Sequence, residues 1–221
     1  MKRILMIAPS SYPVNGAEAI VNIKLLQALS HSGEFEIDLV SKKSKWENYP
    51  SASIDSFGIK LSSLTIVEVD NNITITTILE HLRILLKSGI CFKGAHWALK
   101  ALTPAESLLN RKTYDYVLTK DGASIIVGYT LKKKYGVKWV ATWNDPYPAI
   151  KYPTPYGKGK EAKCGIWDKK LIRVIRKYVD VHIIPNERLA KYMQSYLKVS
   201  NEAIRIIPHV VLDNNIIIKN F

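Results

Sequence analysis

"ILMIAPSSYPVNGAEAIVNIKLLQALSHSGEFEIDLV", residues 4–40, changes its hydrophobic period twice. Residues 4–8 form an unbroken apolar run, the pattern of a strand covered on both faces, and the run stops at Pro9. From Ala17 the period becomes helical: Val21, Leu25, Ala28 and Leu29 recur on one stripe, and Gly33 follows where a C-terminal cap belongs. Residues 35–40 then alternate apolar and acidic side chains, which predicts a second strand. The stretch therefore reads as a β-α-β unit.

The same grammar returns along the rest of the chain. Strands are predicted at 64–69, 114–118, 137–141, 181–184 and 204–207, and helices at 75–87, 95–109, 123–135, 166–178 and 187–197. Strands alternating with helices of this length predict a doubly wound, mostly parallel α/β sheet of the Rossmann-like kind, with right-handed crossovers. Residues 42–63, rich in Ser and Lys, read as a surface loop. Residues 146–165, with four prolines and three glycines, read as an extended one.

Composition narrows the partners. Thirty-two Lys and Arg against nineteen Asp and Glu give a formal charge of +13, which favours anionic ligands or surfaces. Nine bases against two acids fall between positions 151 and 177, where the helix at 166–178 carries Trp167, Leu171, Val174, Ile175 and Tyr178 on one face. Such a helix either lies on anionic lipid or covers the sheet with a wet outer side; an inward apolar stripe is the expected outcome. The segment 75–109, with interleaved bases and aromatics, poses the same choice. Aromatic and basic residues make no recognisable nucleic-acid motif, so no nucleic acid is expected. Cys91 and Cys164 suit neither a disulfide framework nor a zinc ribbon. There is no D-x-D; Glu68-Val-Asp70 comes nearest, and neither a metal nor a cofactor is expected. Lys2 and Arg3 precede an apolar run shorter than the ~7–15 residues of an export signal. The expectation is a cytoplasmic protein, with an anionic membrane's inner face as an open docking surface.

Open parallel sheets bind ligands beyond the carboxyl ends of their strands. That rule selects Asn15 and Gly16 after the first strand, where a glycine and a helix N-terminus would admit an anion. It selects Asp121 and Gly122 after the fourth strand, Asn144 and Asp145 after the fifth, and Asn186 and Glu187 after the sixth. Asp145, stiffened by the following proline, could accept hydrogen bonds from a ligand's hydroxyls or orient one for attack. It could equally close an Asx turn, and Asn186 could equally cap the following helix.

The turn Pro13-Val-Asn-Gly-Ala-Glu18, then "VKWVATWNDPY" at 137–147, "YVDVHIIPNERLAKYM" at 178–193 and "IRIIPHV" at 204–210, in that order and spacing, resemble the N-terminal half of a GT-B glycosyltransferase. The resemblance is to the large retaining family that builds bacterial polysaccharides and lipopolysaccharides. It implies two Rossmann-like domains facing across a cleft, the first binding a glycan or lipid-linked acceptor and the second most of a nucleotide-sugar donor. It implies an acceptor domain at 1–210, the start of a linker at 211–221, a donor domain outside this chain, and no sugar transfer by the chain alone. Gly16 and its neighbours would approach the donor diphosphate, and Asn144 with Asp145 would lie near the transferred sugar and the incoming hydroxyl. His209 takes a family-like position after Pro208, where the family more often has Pro-Asn-Gly. Asn144 stands where a His or Arg is frequent, and an amide cannot relay a proton. Two other readings stand beside this one: a different doubly wound nucleotide-binding enzyme, disfavoured by the missing G-x-G-x-x-G, and a basic membrane-surface module.

Overall fold

Each apolar run becomes a strand, and all the strands point the same way. The computed structural model describes residues 1–14, 16–44, 54–70, 74–91, 94–120 and 122–209. Its strands are β1 (Lys2–Ile7), β2 (Phe35–Ser44), β3 (Ser63–Val69), β4 (Tyr116–Lys120), β5 (Trp139–Thr142), β6 (Val181–Ile184) and β7 (Ile204–Ile206). The helices are α1 (Ala17–His31), α2 (Ile75–Ser88), α3 (Ala95–Arg111), α4 (Gly122–Tyr135), α5 (Ile166–Tyr178) and α6 (Glu187–Leu197). The sheet runs β3-β2-β1-β4-β5-β6-β7 with every pair parallel. From β1 the chain first builds outward through β2 and β3, then returns to β4 and builds the other way. The switch point thus falls between β1 and β4, and the loops leaving those strands part to open a crevice at their carboxyl ends.

Apolar residues divide by strand alternation between two cores. Leu5 and Ile7 face α2 to α6 together with Trp97, Ile126, Trp139 and Ile175, while Ile4 and Met6 face α1 with Ile23, Leu26 and Leu39. At the centre of the larger core α4 lies against β5 with no room to spare. A Cβ placed on Gly128 would stand 2.4 Å from Trp139 Cε2, and the Trp139 indole N–H donates to Thr119 Oγ1 at 2.8 Å. A glycine is required there by close approach, since any larger residue would displace the indole.

Several expectations are corrected by the structure. The helix at 17 forms, but its buried face is Ala19, Asn22, Ile23 and Leu26; the stripe of Val21, Leu25, Ala28 and Leu29 lies on the half-buried side. Strand β2 continues to Ser44 through polar residues because β3 pairs with it from Asp38 to Ser44. The segment expected to be a surface loop buries Ile54, Phe57 and Ile59 against the α1 core through a 3-10 turn at Ile54–Phe57. Strand β4 begins at Tyr116, leaving Tyr114 off the strand, where its hydroxyl donates to the buried Asp38 carboxylate at 2.7 Å. On α5, Leu171, Val174 and Ile175 pack inward as expected, whereas Trp167 remains exposed. The expected linker at 211–221 lies outside the described residues.

Candidate functional site at the carboxyl rim

After β1 the chain is tied to its neighbours before it turns into α1. The Tyr12 N–H donates to Ser41 Oγ of β2, 3.0 Å, and the buried Asn22 amide of α1 donates back to Ser10 O at 2.8 Å. Gly16 caps α1 in an extended conformation with no side-chain cap, so amides of the first turn keep their donors for water or a ligand. Nothing lies within 4 Å of the place a Cβ would take on Gly16. Two residues on, Glu18 complements the positive end of the helix.

Glu18 reaches across the switch point to the end of β4 and to the loop after β5. Lys120, the last residue of β4 and only 3% exposed, donates to Asn144 Oδ1 at 2.9 Å and lies 3.8 Å from Glu18 Oε1. The Asn144 amide nitrogen in turn donates to Glu18 Oε1 at 2.5 Å. Acid, amide and ammonium therefore form a closed triangle that joins the first turn of α1, the end of β4 and the loop after β5. The arrangement orients the amide on both sides: its oxygen faces the cation and its nitrogen the carboxylate.

The loop after β5 is fixed from below. Trp143 continues the pairing with β6 through its N–H to Ile183 O, 2.9 Å, and its indole N–H donates to His182 Nδ1 at 3.2 Å. His182 is 1% exposed, and burial pushes its pKa down to about 4, so the ring stays neutral and accepts that hydrogen bond. Asp145 follows, exposed to solvent, on the wall of a 140 Å³ cavity shared with Glu18, Gly122, Asn144, Tyr147 and Tyr152. Burial, with Asp145 and Glu18 nearby, raises the Tyr152 hydroxyl pKa to about 12, which keeps it a neutral hydrogen-bond partner.

Two further cavities open from Asn144. One, of 480 Å³, is lined by Asn144, Asn186, Lys160, Arg188, Lys191 and Tyr192, and the three bases make it suited to an anion. The other, a 50 Å³ cleft, joins Asn144 and Lys120 to Pro208 and His209. Asn144, Asp145, Gly122, Asn186 and His209 thus gather around one amide. Asn186 also caps α6, accepting the Leu189 N–H at 2.8 Å. Glu187 does not join them; it lines a separate 490 Å³ groove between α6 and β7 and pairs with Lys191 at 3.8 Å. Gly16 stands at the α1 terminus just before Glu18. Asn15 and Asp121 lie outside the described residues.

Glu18, Lys120 and Tyr152 were not singled out by sequence reasoning. For Lys120 a signal exists: a lone cation ends the apolar strand Tyr-Val-Leu-Thr-Lys120, where burial demands an anionic partner.

Comparison with solved structures places the fold in a known architecture. Sucrose-phosphate synthase from Thermosynechococcus elongatus superposes with a TM-score of 0.61 at 14% identity, covering 94% of this chain and 48% of that one. HepE from Anabaena, solved with UDP and glucose, gives 0.54 at 11%, covering 97% and 46%. UDP-N-acetylglucosamine 2-epimerase from Rickettsia bellii gives 0.53 at 13%, covering 99% and 47%. At such identities these likenesses show the fold, and the chain spans about half the length of each structure. No curated protein sequence matches the chain. Because a synthase and an epimerase share the architecture, fold alone does not choose a chemistry. The sequence does name a family: residues 79–212, more than half of the chain, match the family profile of Glycosyltransferase Family 4. The match takes in Lys120, Asn144, Asp145 and the loops after β4, β5, β6 and β7, and the chain belongs to Glycosyltransferase Family 4.

Proposed function

We propose that this chain is the acceptor-side domain of a glycosyltransferase that moves a sugar from a nucleotide-sugar donor to a glycan or lipid-linked acceptor with retention of configuration. The observation that carries the reading is the Glu18–Asn144–Lys120 triangle, with Asp145 on its open side, at the sheet's switch point in a Family 4 chain. In this reading the free amides at Gly16 and the start of α1 meet the donor diphosphate and stabilise charge developing on it as the sugar departs. Asn144, held by its two charged partners, presents a fixed amide to the sugar. Asp145 accepts a hydrogen bond from the attacking hydroxyl and positions it; no covalent adduct is required. Gly122, Asn186 and His209 border the same space. A second α/β unit supplies the facing wall and most of the donor contacts, so the chain alone binds donor weakly and transfers nothing. The nucleotide sugar is a substrate, and no cofactor takes part.

Amide chemical-shift mapping of the 221-residue chain with UDP-glucose, GDP-mannose and NAD tests this. The expected result is that a nucleotide sugar shifts Gly16–Ala19, Gly122, Asn144 and Asp145 while NAD does not. Shifts confined to other faces, or stronger effects from NAD, would refute it.

A further inference from the structure

Helix α2 is built inside out. Its inward face is Thr77, Glu80, His81, Ile84 and Ser88, of which only Ile84 is a fully buried apolar residue. Glu80 turns in to meet Lys100 of α3 at 3.3 Å, His81 sits on Thr77 O at 2.7 Å with its ring 5.4 Å from that of His96, and the Ser88 hydroxyl donates to Ile84 O at 2.8 Å. The outward face is aliphatic. Ile75 and Leu86 are 79% and 78% exposed, and Ile78, Leu79 and Leu82 fill the same stripe at about half exposure, from 47% to 59%. At 3.6 residues per turn these five positions fall on one side of the helix, opposite Glu80, Ile84 and Ser88. A helix that merely covered a sheet would have the reverse arrangement.

We propose that the outer face of α2 docks in the plane of an anionic lipid bilayer. Charge selects this occupant. With Glu80 turned inward, the exposed side of α2 carries no acid, and Arg83 and Lys87 flank the stripe. Lys87 shares Glu106 with Lys134, at 3.3 and 3.2 Å, so that cluster keeps a net positive charge. Beside the C-terminal end of α2, Lys170 reaches over the Trp167 ring at 5.7 Å and lies 3.3 Å from where a Cβ would stand on Gly89. Lys170 thus links the end of α2 to α5, on which Ile166, Trp167, Lys169 and Arg173 are also exposed. Aliphatic side chains with a Trp and bases at the edge match a bilayer interface, apolar below and negative at the headgroups. A second copy of this chain would bring a further +13, which opposes association through the same basic surface. Among the described residues no helix is long and apolar enough to cross a membrane, so the contact is in-plane. The inference does not depend on the donor chemistry: vesicle binding and nucleotide-sugar binding can fail separately.

Flotation of the 221-residue chain with vesicles of phosphatidylcholine containing about 30% phosphatidylglycerol, against phosphatidylcholine alone, tests it. The wild-type chain floats with the anionic vesicles and much less with the neutral ones. Leu82→Glu/Leu86→Glu lowers the bound fraction at least about tenfold, while its melting temperature and far-ultraviolet spectrum stay those of the wild type, because both side chains are exposed. The milder Leu82→Ser/Leu86→Ser gives the same direction should the charged pair disturb folding, and Arg83→Glu weakens binding to anionic vesicles only. Wild-type chain that does not float, or floats as well after Leu82→Glu/Leu86→Glu, overturns the proposal. So does a dimer, seen by light scattering in the absence of flotation, that the double glutamate variant turns into a monomer.

Discussion

Replacing Lys120 by Met keeps the straight side chain and most of its volume but removes the charge that closes the triangle with Glu18 and Asn144. At 3.8 Å the ion pair has a gross attraction of about 4 kcal/mol at an effective dielectric near 20. Glu18 is 31% exposed, so on losing its partner the carboxylate regains water and most of that attraction is compensated. The hydrogen bond to Asn144 is different: its donor is charged and 3% exposed, and such bonds contribute about 1.5–3 kcal/mol. A loss of about 2–3 kcal/mol follows. For a chain of this size it lowers the melting temperature by about 5–10 °C. Calorimetry near neutral pH measures this, and a double-mutant cycle with Glu18→Gln isolates the coupling, expected to be at least ~1 kcal/mol. A melting temperature within about a degree of wild type, or strictly additive effects in the cycle, would show that the three groups do not act as one unit.

Other perturbations follow from the same coordinates. Gly128→Ala puts a methyl group 2.4 Å from the Trp139 ring and 2.8 Å from Thr119 Cγ2, and should cost about 3 kcal/mol or more, read by urea unfolding. A loss below about 1 kcal/mol would mean that α4 can slide away from β5 freely. His182, neutral in the fold with a pKa lowered to about 4, takes up a proton in the unfolded chain near pH 6.5. Stability is therefore complete above the unfolded value and declines as pH falls from about 6.5 toward 4, by about 3 kcal/mol over the window. His182→Asn should flatten that slope in a series of thermal melts, and an unchanged slope would assign it to other groups. Asp145→Asn should leave the melting temperature within about a degree, since the side chain is exposed, while, on the function proposed above, abolishing sugar transfer; retained turnover would remove Asp145 from the proposed reaction.

The elements were legible because their periods were strong: continuous apolar runs became the buried strands, and glycines stood at the ends of α1, α2 and α4. What was misread depends on contacts that no local period encodes. In α1 the polar Asn22 and Gln27 are on the buried side. Asn22 belongs there because its amide holds Ser10 O in the loop after β1, a bond that only the folded turn creates. A hydrophobic count therefore favours the opposite stripe. Strand β2 outruns its apolar residues because edge pairing with β3 is a backbone interaction indifferent to the Ser and Lys side chains on it.

The rim could be located from sequence, whereas its chemistry could not be fully assigned, and the difference lies in topology. Strand ends are local features, so the positions after β1, β4, β5 and β6 could be written down from the pattern. The bond between Glu18 and Asn144 spans 126 positions and exists only because β4 lies between β1 and β5 in the sheet. With β4 in that place, the cation at its end is trapped between the two neighbouring loops, and burial at 3% exposure obliges it to find both a carboxylate and an amide oxygen. An asparagine suits this position because its amide satisfies both charges at once, the oxygen accepting from Lys120 and the nitrogen donating to Glu18. Exchanging the roles makes the point testable: Asn144→His should perturb folding unless Lys120 is neutralised at the same time, because an imidazolium would face a buried ammonium 2.9 Å away from the present amide oxygen. If Asn144→His alone melts like wild type while Lys120→Met/Asn144→His is the less stable of the two, the cation at the end of β4 does not dictate the residue above it.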